Sequence, residues 1–161
     1  MIKSLIMKKI LFITLIFLGG SFTSQVLAQT SNPNYDSQLA AKLGGDEYGM
    51  KSFILVILKT GTSKLTDNKL KSKAFAGHLK NIKRLVDENK LIVAGPFGKN
   101  NNDFRGLFIL NVETIKEANA LLETDPAINE GYLKAELFKW YGSAALPEYL
   151  DSSDKIWKIN P

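Results

Sequence analysis

From Phe53 to Leu58 the chain is continuously apolar and rich in β-branched residues, and Thr60-Gly61 breaks the run. That pattern predicts a buried central strand. Residues 61 to 71 are polar and Lys-rich and read as a loop. A helical period follows. Stepping 100° per residue from Phe75, the side chains of Phe75, Leu79, Ile82, Leu85 and Val86 fall in one arc of about 120°. Lys80, Lys83, Arg84, Asp87 and Glu88 fall outside it. Leu91 to Ala94 predict a short apolar strand, closed by Gly95-Pro96 as a turn. Asn100 to Asp103 reads as a hairpin loop, from which Gly106 to Val112 returns as a strand. Thr114-Ile-Lys-Glu117 has capping-box spacing, which predicts a helix from about Ile115 to Glu123 with Ile115, Ala118 and Leu122 inward. Asp125-Pro126 places an N-cap residue before a proline and predicts a short helical turn that Gly131 ends. Tyr132 to Tyr141 predicts the last strand, where Leu133, Ala135 and Leu137 alternate with Lys134, Glu136, Phe138 and Trp140. Gly142 to Pro161 reads as an irregular tail holding Tyr149, Ile156 and Trp157.

The order is β-α-β-β-α-β, the split arrangement of a ferredoxin-like α+β sheet. Two helices cover only one face of four strands. The other face alternates polar with aromatic in the last strand, which predicts a second protomer packed against it as a dimeric α+β barrel. The C-terminal tail is the alternative cover.

The N-terminus follows another logic. A basic start with Lys3, Lys8 and Lys9 precedes an apolar stretch of nine residues, Ile10 to Leu18, interrupted only by Thr14, then Gly19-Gly20 and small residues ending at Ala28. This is the tripartite pattern of a signal peptide, and cleavage after Ala28 is expected. The apolar run is too short for a membrane anchor, which takes about 20 apolar residues. The expected mature protein is periplasmic or secreted, without a stable membrane anchor. Residues 29 to 50 read as an arm or linker, residues 51 to 141 as the folded domain and residues 142 to 161 as the tail.

Charge then changes meaning. The chain of 161 residues has 21 Lys and Arg against 16 Asp and Glu, a net of +5. Removing Lys3, Lys8 and Lys9 with the leader takes the 21 basic residues to 18 against 16 acidic, a net of +2. The basicity is thus largely a targeting feature, and a nucleic-acid partner is not expected. The absence of Cys excludes disulfides, thiolate metal sites and a Cys nucleophile, and one His excludes a multi-His metal centre within one protomer. No metal site and no cofactor are expected.

His78 is the most informative position. The same arithmetic puts it at about 300°, between Leu85 and Ile82 and toward the sheet. Its commoner role there is a core His bonded to backbone; its functional role is a general acid or base. Asp125 before Pro126 is an ordinary N-cap by spacing, Gly95-Pro96 an ordinary turn, and Arg105 in the hairpin either a solvated side chain or an anion contact.

Taken together, His78 on the first helix, Leu91-Ile-Val-Ala-Gly-Pro96, the strand opened by Gly106, Glu117-Ala118 and Asp125-Pro126 resemble the YCII-related family over about residues 51 to 141. The chain departs from that pattern in its leader and in Ala127 after the Asp-Pro pair. The resemblance implies a His-Asp acid/base pair, His78 and Asp125, in a homodimeric barrel. It also implies lyase- or dehalogenase-like chemistry on small, often ring-shaped molecules. Phe138 and Trp140 are then expected to line the barrel interior, with Gly95, Pro96 and Arg105 as further substrate contacts. The competing expectation is a non-catalytic ligand-binding or assembly module on the same fold.

Overall fold

The computed structural model describes residues 32–63 and 67–158, so the expected leader lies outside the described residues. The chain divides into two units, Met1–Tyr35 and Asp36–Pro161. In the first, the described residues form a turn in which Tyr35 N–H donates to Asn32 carbonyl at 3.1 Å. The second unit holds helix α1 (Ser37–Leu43), strand β1 (Met50–Thr60), helix α2 (Asn68–Asp87), and strands β2 (Leu91–Pro96) and β3 (Phe104–Leu110). After these come helix α3 (Ile115–Leu122), the one-turn helix α4 (Pro126–Asn129) and strand β4 (Leu133–Ser143). A 3-10 turn over Leu146–Tyr149 and the one-turn helix α5 (Leu150–Ser153) complete it.

The fold is mixed α+β on one four-stranded sheet of order β2-β3-β1-β4, antiparallel throughout. This is the ferredoxin-like order expected from the sequence. β1 lies in the centre because its apolar run can be buried on both faces. Its register with β4 runs unbroken from Met50↔Ser143 to Thr60↔Leu133. Alternation sends Ile54, Val56 and Leu58 to the helix side, where they join Leu85, Leu91, Phe108, Leu110, Ala118, Leu122 and Leu133 in the core.

Four local expectations change. Helix α2 begins at Asn68, inside the segment read as a loop, because the Asp67 side chain accepts from Lys69 and Leu70 N–H. Its first turns are exposed, so they carry no apolar period. Gly95 and Pro96 do not turn the chain; they extend β2 and pair with Leu107 and Gly106. Proline is tolerated there because β2 is an edge strand. The segment read as an arm contains α1, capped by Asp36 and closed by Gly44 at φ 72°. The tail is ordered: Tyr149 hydroxyl donates to Ile92 carbonyl at 2.5 Å, tying the chain beyond β4 to the opposite edge strand.

The face of the sheet away from the helices carries Phe53, Leu55, Ile57, Leu107, Ile109, Phe138 and Trp140. Phe53 is fully buried, with Trp140 at 5.6 Å between ring centroids and Lys51 Nζ 5.1 Å above its ring. Leu55, Ile57, Leu107 and Ile109 are only half-buried, and Phe138 is 49% exposed. Among the described residues, nothing fully covers the apolar area of that face.

Asp46 anchors the turn before β1. Its carboxylate accepts from Tyr48 and Met50 N–H at 2.9 and 3.0 Å and from the Tyr141 hydroxyl of β4. The Tyr141 hydrogen bond, then the Met50 N–H, hold its pKa below the ordinary carboxylate value. A depressed folded pKa contributes stability above the ordinary value, and that contribution disappears as pH falls through the folded one. Tyr141→Phe is therefore expected to lower the melting temperature at neutral pH, with the gap to wild type closing in strong acid. Thermal unfolding of both proteins across pH checks this, and a gap that persists unchanged in acid contradicts it.

Candidate active site

Helix α2 buries Ala74, His78, Asn81 and Leu85 along one stripe. Spacings of three and four residues put these on the same face, so the fold places His78 against the sheet as its helical phase requires. The imidazole stacks on Phe108 of β3 at 5.8 Å and 20°, and Phe75 meets it edge-on at 6.1 Å. Only 11% of its side chain is exposed.

Asp125 reaches the same point from the opposite direction. It is fully buried and is the N-cap of α4. Oδ1 accepts from Ala127 N–H at 2.9 Å and Ile128 N–H at 3.4 Å, while Oδ2 faces His78 Nδ1 at 2.6 Å. With Oδ1 occupied by backbone donors, the carboxylate presents Oδ2 as an acceptor, which assigns the imidazole proton to Nδ1. Nε2 is left with the lone pair. Asp125 therefore caps a helix and orients the histidine with one side chain.

The close approach depends on Gly77. A β-carbon at that position would lie 2.7 Å from Pro126 Cγ, so glycine lets the first residue of α4 rest against α2 beside His78. A second tie comes from Asn81, one turn along the same stripe. Its Oδ1 accepts from Thr124 Oγ1 at 2.9 Å and from Arg84 Nη2 at 2.8 Å. Thr124 precedes Asp125, and its hydroxyl also accepts from Arg84 Nη2 at 2.8 Å. The α3–α4 junction is thus pinned to α2 on both sides of Asp125.

Not every expected contact joins this pair. Phe138 and Trp140 pair with Leu55 and Phe53 on the far face of the sheet, so β1 and β4 separate them from His78. Within the chain they lie on the opposite face of the sheet from His78. Arg105 sits at the register shift opposite Leu58 and Lys59, and its Nε donates to Thr60 Oγ1 at 2.6 Å. Gly95 pairs with Leu107 on the far face, whereas Pro96 pairs with Gly106 on the helix side. Of Gly95 and Pro96, only Pro96 shares the face of His78.

A groove of about 330 Å³ lies beside α4, lined among others by Leu122, Ile128, Gly131, Leu133, Asn119 and Lys134. It does not open on His78 or Asp125. Among the described residues no cluster of His, Asp or Glu could hold a metal ion, and no helix is long and apolar enough to cross a membrane. Sequence reasoning missed Gly77 and Asn81. The phase that oriented His78 also places Asn81 inward, so that residue had a usable signal, but Gly77 had none without its neighbour Pro126.

The profile of the YCII-related domain matches residues 53–140. No curated protein matches the chain. Among solved structures, the chain is similar to a 5-chloro-2-hydroxyhydroquinone dehydrochlorinase from Burkholderia phenoliruptrix AC1100, solved in complex with 2,5-dihydroxybenzoquinone. The identity is 22%, the alignment covers 54% of this chain and 92% of that chain, and the TM-score is 0.38.

Gly77→Ala sets two effects against each other. Alanine in a helix interior gains about 1 kcal/mol by propensity, while overpacking against a fixed neighbour costs about 1–3 kcal/mol. The contact with Pro126 is expected to win, giving net destabilisation of about 1 kcal/mol and a shifted His78 imidazole NMR signal. Denaturant unfolding and imidazole NMR check this; a stabilised variant with an unmoved signal contradicts it.

Proposed function

Because the chain belongs to the YCII-related domain family, we propose that it is a small-molecule enzyme in which His78, oriented by Asp125, moves a proton. The buried 2.6 Å contact between His78 Nδ1 and Asp125 Oδ2 carries this reading. A histidine serving only the core needs no fully buried carboxylate, because a backbone carbonyl accepts its proton at lower desolvation cost. A carboxylate there fixes the tautomer and stabilises the imidazolium that forms when Nε2 accepts a proton.

The chemistry that suits the pair is an elimination on a small ring-shaped molecule, of lyase or dehalogenase type. Nε2 takes a substrate proton, and the electron pair left behind forms the new π bond. The leaving group departs with its own pair. Return of the proton from the imidazolium to solvent or leaving group restores the base. The step uses this chain's own residues and calls on no cofactor.

The far face of the sheet belongs to a second role in the proposal. Its half-buried Leu55, Ile57, Leu107 and Ile109, with exposed Phe138, form an apolar surface that a second copy of the chain would cover. Phe138 and Trp140 fit that interface. Export through the N-terminal leader, with cleavage after Ala28, completes the reading. Mass spectrometry of the exported protein should show a chain beginning at Gln29.

One observation favours the alternative of a non-catalytic ligand-binding module: the groove beside α4 has no His78 or Asp125 in its lining. A panel of chlorinated hydroquinones, followed by chloride release and by thermal shift, separates the two. His78→Ala is expected to lower turnover roughly 10²–10⁴-fold, the usual contribution of a general base. Asp125→Asn should lose activity too and should also lose stability, since Asn presents its donor or its acceptor, not two acceptors, to the cap and the ring. Chloride release unchanged in His78→Ala would remove the enzyme reading, and a thermal shift unaffected by either substitution would support the binding module.

A further inference from the structure

The loop between α3 and α4 is three residues, Glu123 to Asp125, and it satisfies several polar groups within its own segment. The Glu123 carbonyl accepts from Asn129 Nδ2 at 2.5 Å, the Leu121 carbonyl from the Thr124 hydroxyl at 2.6 Å and the Leu122 carbonyl from Asp125 N–H at 3.0 Å. These bonds shape the loop but do not place it on α2. Placement comes from contacts across to α2: His78 with Asp125, Gly77 against Pro126, and the polar cluster of Asn81 and Arg84 at Thr124. Arg84 has no part in the mechanism above.

Arg84 serves four acceptors with two nitrogens. Nη1 donates to both Glu88 oxygens at 2.8 Å, and Nη2 donates to Asn81 Oδ1 and Thr124 Oγ1, each at 2.8 Å. The two oxygens on Nη2 lie only 2.9 Å apart. The Thr124 hydroxyl has one proton for two acceptors, Asn81 Oδ1 and the closer Leu121 carbonyl. Without Nη2 the two oxygens would face each other with one proton between them and a nearer competitor for it. Asn81 is only 6% exposed, so water is a poor substitute for the lost donor. The guanidinium also stands by Thr124, just past α3, whose last turn has no basic residue of its own, and a cation is favoured at that helix end. The forked shape matters as well, because a lysine ammonium has one nitrogen where this arrangement uses two.

We propose that Arg84 is a positioning residue for the His78–Asp125 pair. By fixing Thr124 against α2, it sets where the next residue presents Oδ2 to His78 Nδ1. It thereby holds the imidazole proton on Nδ1 and the lone pair on Nε2, without touching the ring itself. Its catalytic consequence rests on the proposed acid/base role of His78; the placement of the proton stands on the geometry alone.

His78 is the one histidine of the chain, so its imidazole gives a single ¹H–¹⁵N signal. The test uses the full chain with Arg84→Met, which keeps an apolar stem and removes the donors, and with Arg84→Lys, Thr124→Val and Thr124→Ser. The neutral imidazole of wild type is expected to show the Nδ1–H tautomer. Arg84→Met and Thr124→Val are expected to speed exchange of that proton about tenfold, the weight of one hydrogen bond to a charged donor, and to mix in the Nε2–H tautomer. Arg84→Lys should resemble Arg84→Met, and Thr124→Ser should resemble wild type. For any compound that is turned over, Arg84→Met should lower kcat by a similar factor with KM nearly unchanged. An imidazole signal and exchange rate unmoved in Arg84→Met, whatever its melting temperature, overturn the proposal. Should that variant fail to fold, the Thr124 pair decides, and a valine variant with the wild-type signal overturns it equally. Moved signals in the Arg84 and Thr124 variants together with full turnover in His78→Ala would leave the positioning role standing and remove the acid/base reading.

Discussion

The site depends on one carboxylate that is fully buried yet meets every demand of burial. Asp125 has no solvent exposure, so each of its oxygens must find donors inside the protein. The N-terminus of α4 provides two backbone N–H groups to Oδ1, and His78 provides a ring N–H to Oδ2. Neither set alone is sufficient. Without the histidine, Oδ2 is stranded; without the helix start, Oδ1 is. The one-turn helix α4 is short for a stable element, since a costly nucleus is repaid by little propagation. Its cap and its packing against Gly77 therefore carry more of its stability than its own hydrogen bonds. The local fold and the candidate chemistry use the same atoms.

The sheet imposes a second constraint by dividing the molecule. The helix side holds His78, Asp125 and the core, and the far side holds Phe138, Trp140 and a field of half-buried aliphatics. Groups on one side of a close-packed sheet do not reach ligands on the other. Any group that meets His78 directly within the chain must therefore come from the helix side, as Phe75 and Phe108 do. The far side is left free to take a partner without disturbing the pair. This division explains why the aromatic content of β4 is a poor guide to the pocket.

Much of this was legible in the sequence, for identifiable reasons. The strand and helix order followed from periodicity, and the inward phase of His78 followed from the spacing of Phe75, Ile82 and Leu85. The cap role of Asp125 followed from the proline after it. The 2.6 Å contact between these residues does not follow from pattern or spacing; only the family resemblance pairs them. It arises where two segments 47 residues apart meet, and the meeting depends on a glycine whose importance is invisible without Pro126 above it. Pro96 was misread because proline marks a turn in most contexts, whereas an unpaired sheet edge removes the objection to it. The tail was misread because its ties are single contacts, such as Tyr149 to Ile92, that leave no period.

The far-face aromatics carry a different lesson. Strand parity alone separates Phe138 and Trp140 from Leu137, and the helical phase alone puts His78 on the covered face. Together these place the aromatics and the histidine on opposite faces of one sheet. The expectation that they line a barrel interior comes from the uncovered sheet face together with the family resemblance. A second sheet packed on the far face would meet the half-buried Leu55, Ile57, Leu107 and Ile109 and would be an interface before it was a pocket. A pocket requires something an interface does not: polar groups left unpaired by the protein and held by rigid neighbours. On the helix side the buried Tyr132 hydroxyl and Asn81 Nδ2 have no hydrogen-bond partner among the described residues, whereas the far face pairs Lys59 with Glu136 at 3.1 Å.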